Sequence, residues 1–99
     1  MLVKYCLVSL QGSLTFSDYS SFKQIVDLIG TVKKQQCIFD LENLDYIDSA
    51  GLGMFLLSRE KSQANDGNIT LKNPNGYVKK ILNLSKFENL FTITSEFLQ

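Results

Sequence analysis

Short segments of strand character alternate with segments of helical spacing along this chain, and this alternation constrains the fold more than any other feature. Residues 3–10, 36–41, 68–72 and 90–94 are rich in β-branched, aromatic and aliphatic side chains, which is typical of strands. Between them, apolar residues recur three and four positions apart, as on one face of a helix. Because parallel strands need long crossovers of this kind, the order predicts an α/β fold with a small mixed or parallel sheet carrying helices.

The first helix is predicted to begin after Ser17, a candidate N-cap, with Asp18 in its first turn. Gly30 either ends this helix or weakens its last turn. Its apolar face is predicted from residues at helical spacing: Phe22, Ile25, Val26, Ile29 and Val32.

Two further helices follow from the same spacing. The second starts at residues 49–53 and runs to about Ala64, and Asp66-Gly67 then marks a turn. One face of it is predicted to hold Leu52, Phe55, Leu56 and Arg59. Asn73-Pro74 supplies a cap and a first-turn proline for the third helix. Elsewhere in the chain, Gly12 is expected to end the first strand. The apolar face of the third helix is formed by Tyr77, Val78, Ile81, Leu82 and Leu84.

The composition limits the classes of function. The 99 residues make one domain, residues 1–99, and 10 basic residues balance 10 acidic ones, so no basic field exists to bind nucleic acid or an anionic membrane. The chain has no histidine, which excludes Ser-His-Asp triads and His-ligated zinc. An enzyme built on serine would need Lys79 or Lys80 as its base, and these are expected on a solvated helix face. We therefore expect no enzyme, no cofactor and no metal.

Cysteine usage and hydropathy indicate a cytoplasmic protein. Cys6 and Cys37 lie in apolar runs without metal-ligand spacing, so both are expected to be reduced, buried thiols. No signal peptide and no membrane span is evident. Phe97 and Leu98 are expected to dock against the core. Six phenylalanines are expected within the core: Phe16, Phe22, Phe39, Phe55, Phe87 and Phe91.

The segment 46–53 contains the residues that point to function. Ser49 lies where a strand and loop meet a helix, so it is either a plain N-cap or a hydroxyl that carries a phosphoryl group, which the free amides and dipole of a helix start tolerate. Gly51 and Gly53 are poor helix formers in a first turn, which suggests close approach to the backbone. No GxxxxGK[ST] phosphate loop is present. Tyr46 is either an exposed contact residue or a staple of the loop.

Residues 39–53, with the run Asp48-Ser49-Ala50-Gly51-Leu52-Gly53, resemble the signature of STAS domains of the anti-sigma factor antagonist type. In that family an aliphatic strand leads to Asp-Ser-x-Gly-Leu-Gly and a helix. Residues 68–71 resemble the next family strand, and residues 74–91 resemble the following helix and Leu-x-x-x-Phe segment. The resemblance spans nearly the whole chain and implies a single STAS-like domain.

The resemblance implies a partner-switching regulator. Ser49 corresponds to the serine that is phosphorylated in this family. The kinase has the histidine-kinase-like ATPase fold and is often also the anti-sigma factor, and a metal-dependent serine phosphatase removes the phosphate. The unphosphorylated form would bind the kinase, and the phosphorylated form would release it. The residues expected to form the partner-binding surface are Asp18, Tyr46, Asp48, Ala50, Gly51, Leu52 and Gly53.

Two family features differ in this chain. The acidic residue that follows Gly-x-Leu in the family is Thr15 here, and Asp18 is the candidate to replace it, with a plain helix-dipole role as the alternative. One edge of the sheet is expected to be uncovered, where a partner or a second copy of the chain would bind. The alternative function is a STAS scaffold or small-ligand module within a signalling or transport assembly, with Ser49 merely capping its helix.

Overall fold

The computed structural model describes residues 4–95. Strands and helices alternate in the order β1 (Lys4–Leu14), α1 (Tyr19–Ile29), β2 (Gln35–Ile47), α2 (Ser49–Ala64), β3 (Asn68–Lys72), α3 (Gly76–Leu84) and β4 (Thr92–Thr94). Short 3-10 turns at Phe16–Asp18 and Phe87–Asn89 precede α1 and β4. The predicted α/β class is confirmed.

The four strands form one sheet in the order β1-β2-β3-β4, and every neighbouring pair is parallel. Each strand is therefore followed, through a helix, by the adjacent strand on the same side of the sheet. Because such crossovers are right-handed, all three helices lie on one face. Burial agrees, because Cys37, Phe39 and Leu41 are buried beneath the helices while the residues between them are only half-buried. Among residues 4–95, no element covers the opposite face, which we call the bare face.

Three aromatic rings fill the centre of the core. Phe22 of α1, Phe39 of β2 and Phe55 of α2 lie with ring centroids 5.6 to 6.3 Å apart. Phe87 and Phe91 are also buried, as expected. The prediction for Phe16 is wrong, because this side chain is 78% exposed. It lies in the short 3-10 turn Phe16–Asp18 after β1, outside the strand segment whose inward residues face the helices.

Strand β2 continues six residues beyond the predicted end at Leu41. Its pairing with β1 shifts twice, so that β2 contributes an extra residue between Asp40 and Asn43 and another between Leu44 and Tyr46. Each extra residue is a bulge, which re-aims the side chains that follow it. As a result Leu44 and Ile47 stay on the buried face at intervals of three rather than two.

The first strand and the first helix also differ from the prediction at their junction. Gly12 does not end β1 but lies within it at a φ of +72°, at a register shift, because β2 continues alongside. Ser17 is not the N-cap of α1, since that position belongs to Asp18. Gly30 is the C-cap, so the helix ends at Ile29 and Val32 lies outside it.

Helix α2 faces the sheet through smaller residues than the spacing predicted. Leu56 is exposed and Leu52 and Arg59 are half-buried, so only Phe55 of the predicted face is fully buried. Three of the buried residues are small and allow the helix to approach its neighbours closely. The buried residues of α2 are Gly51, Met54, Phe55, Ser58 and Ser62. The buried Ser58 hydroxyl donates to the Met54 carbonyl at 2.8 Å and is thereby satisfied.

The last two elements start later than predicted. Asn73 has a φ of +57°, which cannot begin a helix, so α3 starts at Gly76 with Asn75 as its N-cap and Pro74 before it. Lys79 and Lys80 are exposed, as expected. Strand β4 starts at Thr92, because the backbone before it forms the second 3-10 turn.

Both cysteines are free thiols on neighbouring strands, in register with each other. Cys37 is buried, and burial raises its pKa to about 12. Cys6 is only half-buried, because β1 is the outermost strand. Phe97 and Leu98 lie outside the described residues. None of the helices within residues 4–95 is long and apolar enough to span a bilayer.

Candidate functional site

The carboxyl ends of the parallel strands gather the candidate residues at one edge of the sheet. Phe16 follows β1, Ser49 follows β2, and Tyr77 lies in the first turn of α3 after β3. In open parallel sheets this edge is the usual place for a binding site, because the loops and helix starts converge there. The site is therefore assembled from three crossovers rather than from the Asp-Ser segment alone.

Asp48 connects two of these crossovers. Its Oδ1 accepts a hydrogen bond from the Gly51 N–H at 2.9 Å, which makes it the N-cap of α2. Its Oδ2 accepts from the N–H of Phe16 at 3.2 Å, 32 residues earlier in the chain. The Asp48 N–H in turn donates to the Leu14 carbonyl at 3.3 Å. One residue thus fixes the start of α2 against the end of β1.

The same hydrogen bonds keep Asp48 ionised. The Gly51 N–H, and less strongly the Phe16 N–H, lower the pKa of the Asp48 carboxyl below its ordinary value of 3.8. Hydrogen bonds to the charged form of an acid have this effect, and here they outweigh desolvation, which acts in the opposite direction. Asp48 is therefore an anion at neutral pH, next to the Ser49 hydroxyl.

Ser49 is the first residue of α2, and its side chain is exposed. The interpretation of Ser49 as the N-cap is wrong, because Asp48 holds that position and accepts the amide hydrogen bond. Within residues 4–95 the Ser49 hydroxyl is assigned no hydrogen bond, so nothing in the described part of the fold requires a hydroxyl there. The geometry leaves it accessible at a helix start.

Asp18 has a structural task in the loop before α1. Its Oδ2 accepts from the Thr15 N–H at 2.9 Å and from the Thr15 hydroxyl at 3.3 Å, and its own N–H donates to the Thr15 carbonyl at 2.8 Å. This is a capping-box arrangement around the short turn that carries Phe16. The side chain is half-buried, and its role in partner binding stays a prediction.

The two glycines after Ser49 serve different purposes. A Cβ on Gly51 would lie 2.5 Å from the Leu14 carbonyl oxygen and 2.6 Å from Ile47 Cγ1, so packing within the fold requires glycine there. A Cβ on Gly53 would meet no atom within 4 Å, and the position is exposed. Gly53 lies one turn beyond Ser49 on the same side of α2.

Two exposed tyrosines lie in elements that meet the same end of the sheet as Ser49. Tyr46 and Tyr77 stack with ring centroids 5.2 Å apart and planes within 7°, and both remain exposed. Tyr46 thus packs against a neighbouring element and is still exposed, and its role as a contact residue for a partner stays a prediction. Of the remaining motif residues, Ala50 and Leu52 are half-buried. We call the exposed set, Phe16, Tyr46, Ser49, Gly53 and Tyr77, the docking surface.

Sequence reasoning missed Phe16 and Tyr77 as members of this surface. Phe16 stands next to polar residues in the segment Thr15–Asp18, which was the available sign that it leaves the core. Tyr77 belongs to the predicted apolar face of α3, and only the stack with Tyr46 identifies its place. Residues 4–95 hold no group of three acidic, cysteine or histidine side chains placed for a metal ion, and the expected absence of a cofactor remains a prediction.

Alanine substitutions test whether Gly51 is required for packing within the fold while Gly53 is not. We expect Gly51→Ala to lower the free energy of unfolding by about 1–3 kcal/mol, because its Cβ overlaps backbone and core atoms. We expect Gly53→Ala to raise it by up to about 1 kcal/mol, since alanine favours the helix and meets nothing. Urea unfolding of both variants measures this, and an equal loss in both would contradict the assignment.

Acid titration tests the Asp48 cap. A carboxyl whose pKa is lower in the folded than in the unfolded state stabilises the fold above its ordinary value, and protonation removes that contribution. Asn caps well but is neutral, so we expect Asp48→Asn to be less stable than wild type at neutral pH. The difference should shrink as the pH falls below 3.8. Urea unfolding between about pH 2 and 6 gives the two curves, and parallel curves would contradict a charged cap.

Comparisons with known proteins agree with the fold and the motif. The family model for the STAS domain matches residues 3–97. A STAS-domain containing protein of Pseudomonas aeruginosa (strain UCBPP-PA14) is 33% identical over 87 residues, which cover 88% of this chain and 85% of that one.

Solved structures show the same architecture. The anti-sigma factor antagonist SpoIIAA in its unphosphorylated form is 25% identical with a TM-score of 0.74, covering 95% of this chain and 81% of that one. A SulP transporter STAS domain from Vibrio cholerae is 11% identical with a TM-score of 0.75, over 95% of this chain and 75% of that one. The latter likeness concerns the fold alone. The match over nearly all residues, together with the Asp-Ser-x-Gly-Leu-Gly segment at the start of α2, shows that the chain belongs to the STAS domain family.

Proposed function

We propose that this protein is a partner-switching regulator of the anti-sigma factor antagonist type. In its unphosphorylated form it binds a serine kinase of the histidine-kinase-like ATPase fold, which acts as or with an anti-sigma factor. Phosphorylation of Ser49 releases that partner, and a metal-dependent serine phosphatase restores the binding form. The chain itself contributes a surface and an acceptor hydroxyl, and no catalysis.

The observation that carries this proposal is the position of Ser49. Its hydroxyl is exposed at the first residue of α2, while Asp48 performs the capping for which serine would otherwise be retained. An accessible hydroxyl at a helix N-terminus is well placed to receive a phosphoryl group, because the helix dipole favours an anion there. The likeness to SpoIIAA, an anti-sigma factor antagonist with an unphosphorylated form, supports the same role.

The charge around Ser49 explains how phosphorylation would act. A phosphoryl group adds about 1.5 to 2 negative charges at neutral pH. Asp48 is already an anion beside it, and the carboxylates of Glu42 and Asp45 are exposed on the strand that leads to it. The first-turn Gly51 N–H is already bonded to Asp48, so it is not free to neutralise the new charge. The docking surface would therefore become strongly anionic, which opposes contact with an apolar or anionic partner surface.

The apolar part of the docking surface would supply the affinity of the unphosphorylated form. The backbone around Phe16 is fixed by two sets of hydrogen bonds. The Phe16 N–H donates to the Asp48 carboxylate, and Thr15 and Asp18, on either side of Phe16 in the turn, are hydrogen-bonded to each other. Exposed aromatic residues on fixed backbone are typical anchors of protein interfaces. Gly53 leaves the surface of α2 without a side chain between Ser49 and Leu56, so that a partner can approach the helix closely.

The alternative is a scaffold or ligand-binding STAS module. The transporter-associated domain from Vibrio cholerae shares the fold without sharing the sequence, so the fold does not separate the two functions. What separates them is whether Ser49 receives phosphate.

Replacement of Ser49 tests the switch. We expect phosphopeptide mapping of the protein from its native cells to find phosphate on Ser49, and Ser49→Ala to remove it. With the partner that wild type captures from those cells, Ser49→Ala should bind as wild type does and should not be released by ATP. Ser49→Asp should bind at least about tenfold more weakly, since it places a permanent charge at the contact.

Asn83→Asp is the matched control, because it adds the same charge at an exposed position near the end of α3. It should leave partner binding unchanged. Equal affinity of Ser49→Ala and Ser49→Asp, or full phosphorylation of Ser49→Ala, would overturn the switch. A chain that stays unphosphorylated in the presence of its partner and ATP would favour the scaffold.

Removal of the Phe16 ring tests the docking surface. Because the side chain is 78% exposed, Phe16→Ser should change the free energy of unfolding by no more than about 0.5 kcal/mol. Partner affinity should fall about tenfold or more, by titration calorimetry with the captured partner. Leu84→Ser removes a side chain that is 69% exposed at the far end of α3 and should leave affinity unchanged. An effect of equal size in both variants would contradict a specific role for Phe16.

A further inference from the structure

One side of the molecule ends in an unpaired strand edge. Among the described strands, β1 pairs only with β2, so the backbone groups on its outer side face no other strand. Its 11 residues include one charged side chain, Lys4, and no proline. Monomeric proteins usually protect such an edge with charges, prolines, bulges or a covering segment. Here the pairing with β2 shifts between Ser9 and Gln11 and between Gly12 and Ser13, but the extra residues lie in β2, and no other described strand pairs with residues 4–11 of β1.

The core is incomplete along the same edge. Cys6, Val8 and Leu10 of β1 point to the helix side but are only half-buried, unlike the buried residues of β2 on that side. A cleft of about 200 Å³ opens between β1 and α1, with Leu10, Phe22 and Ile25 among its lining residues. An additional strand beside β1 would bury the inward side chains of β1 and border this cleft.

Exposed apolar side chains flank the edge on both sides of the sheet. Tyr5 and Leu7, on the bare face, are 73% and 66% exposed. Leu28 of α1 is 67% exposed and continues the helix stripe of Ser21 and Ile25, which border the cleft. A partner strand that covered this edge would contact apolar residues on both faces of it, and β1 carries Tyr5 and Leu7 on one face and half-buried apolar residues, Cys6, Val8 and Leu10, on the other.

We propose that β1 pairs antiparallel with β1 of a second copy of this chain, about a two-fold axis near Val8, to form a continuous sheet across the two copies. In this register Cys6 lies opposite Leu10 of the partner subunit and Leu7 lies opposite Ser9 of the partner subunit. Inward residues thus meet inward residues, and outward residues meet outward residues. An interface of this kind uses the same surface twice, which is what closed two-fold dimers require.

The charges of β1 favour this arrangement over a parallel one. An antiparallel register centred on Val8 places Lys4 opposite the partner's Gly12, and the two Lys4 side chains lie about 27 Å apart, at opposite ends of the paired segment. A parallel register would set the two lysines side by side, and like charges directly opposite each other destabilise a sheet.

The size of this side is sufficient for a stable dimer. The paired residues, 4–12, extend over about 30 Å at 3.3 Å per residue. The molecule is 22 Å across in its smallest dimension. A strip of these dimensions, about 650 Å², lies within the roughly 600–1,000 Å² that each partner buries in a standard interface.

Sedimentation equilibrium of the full, unphosphorylated chain tests this proposal. Wild type should associate to a dimer as its concentration rises, and the amides of β1 should become more protected from hydrogen exchange over the same range. Leu7→Lys and Leu28→Lys place like charges on the two sides of the edge, and each should weaken dimerisation about tenfold or more. Leu84→Lys changes an equally exposed leucine on α3 and should leave the dimer intact.

The outcome is independent of the role of Ser49, because no partner protein or phosphate enters the measurement. A wild-type chain that stays monomeric up to millimolar concentration would overturn the proposal. So would a dimer that all three variants weaken equally, or a dimer in which the β1 amides exchange as fast as in the monomer.

Discussion

The hydrogen bonds of the Asp48 carboxylate are the interaction on which the functional end of this molecule depends. One oxygen caps α2 through Gly51, and the other holds the N–H of Phe16 in the crossover after β1. A single side chain therefore sets the relative positions of the proposed phosphorylation site and the most exposed aromatic ring. Because the carboxylate does the capping, the neighbouring hydroxyl has no structural task in the described fold, so that in the proposed switch Asp48 supports the structure and Ser49 receives the phosphate.

The same division extends to the two glycines of the motif. Gly51 is required because the Leu14 carbonyl and Ile47 occupy the space of a Cβ, which is also why β1 and α2 can approach closely enough for the Asp48 N–H to reach Leu14. Gly53 has no such neighbour and weakens the helix without any compensation inside the described fold. A glycine that lowers helix stability and has no packing neighbour among residues 4–95 supports the proposal that a partner packs against this position.

Much of the fold was predictable because it follows from local pattern and chain connectivity. The alternation of strand and helix segments predicted the α/β class and the long crossovers, and the family segment around Ser49 indicated the candidate site. What could not be predicted depends on pairing between distant segments. The bulges that carry β2 on to Ile47 arise from its register with β1, and they change the burial interval from two to three. Phe16 was misplaced for a related reason, since its exposure depends on where the turn after β1 lies in the fold, and its polar neighbours in sequence are only an indirect sign of that position.

The proposed dimer and the proposed switch use different surfaces of the molecule, so the two contacts are compatible. The docking surface lies at the carboxyl ends of the strands, whereas the dimer would form along the side of β1, so neither contact would cover the other. Antiparallel pairing about Val8 would direct the two carboxyl edges away from each other, to opposite ends of the continuous sheet. Each Ser49 would then meet its own partner, and phosphorylation of one copy would add no charge near the other, because the separation exceeds the ~8–10 Å over which exposed charges act at physiological salt. The two copies would therefore switch independently.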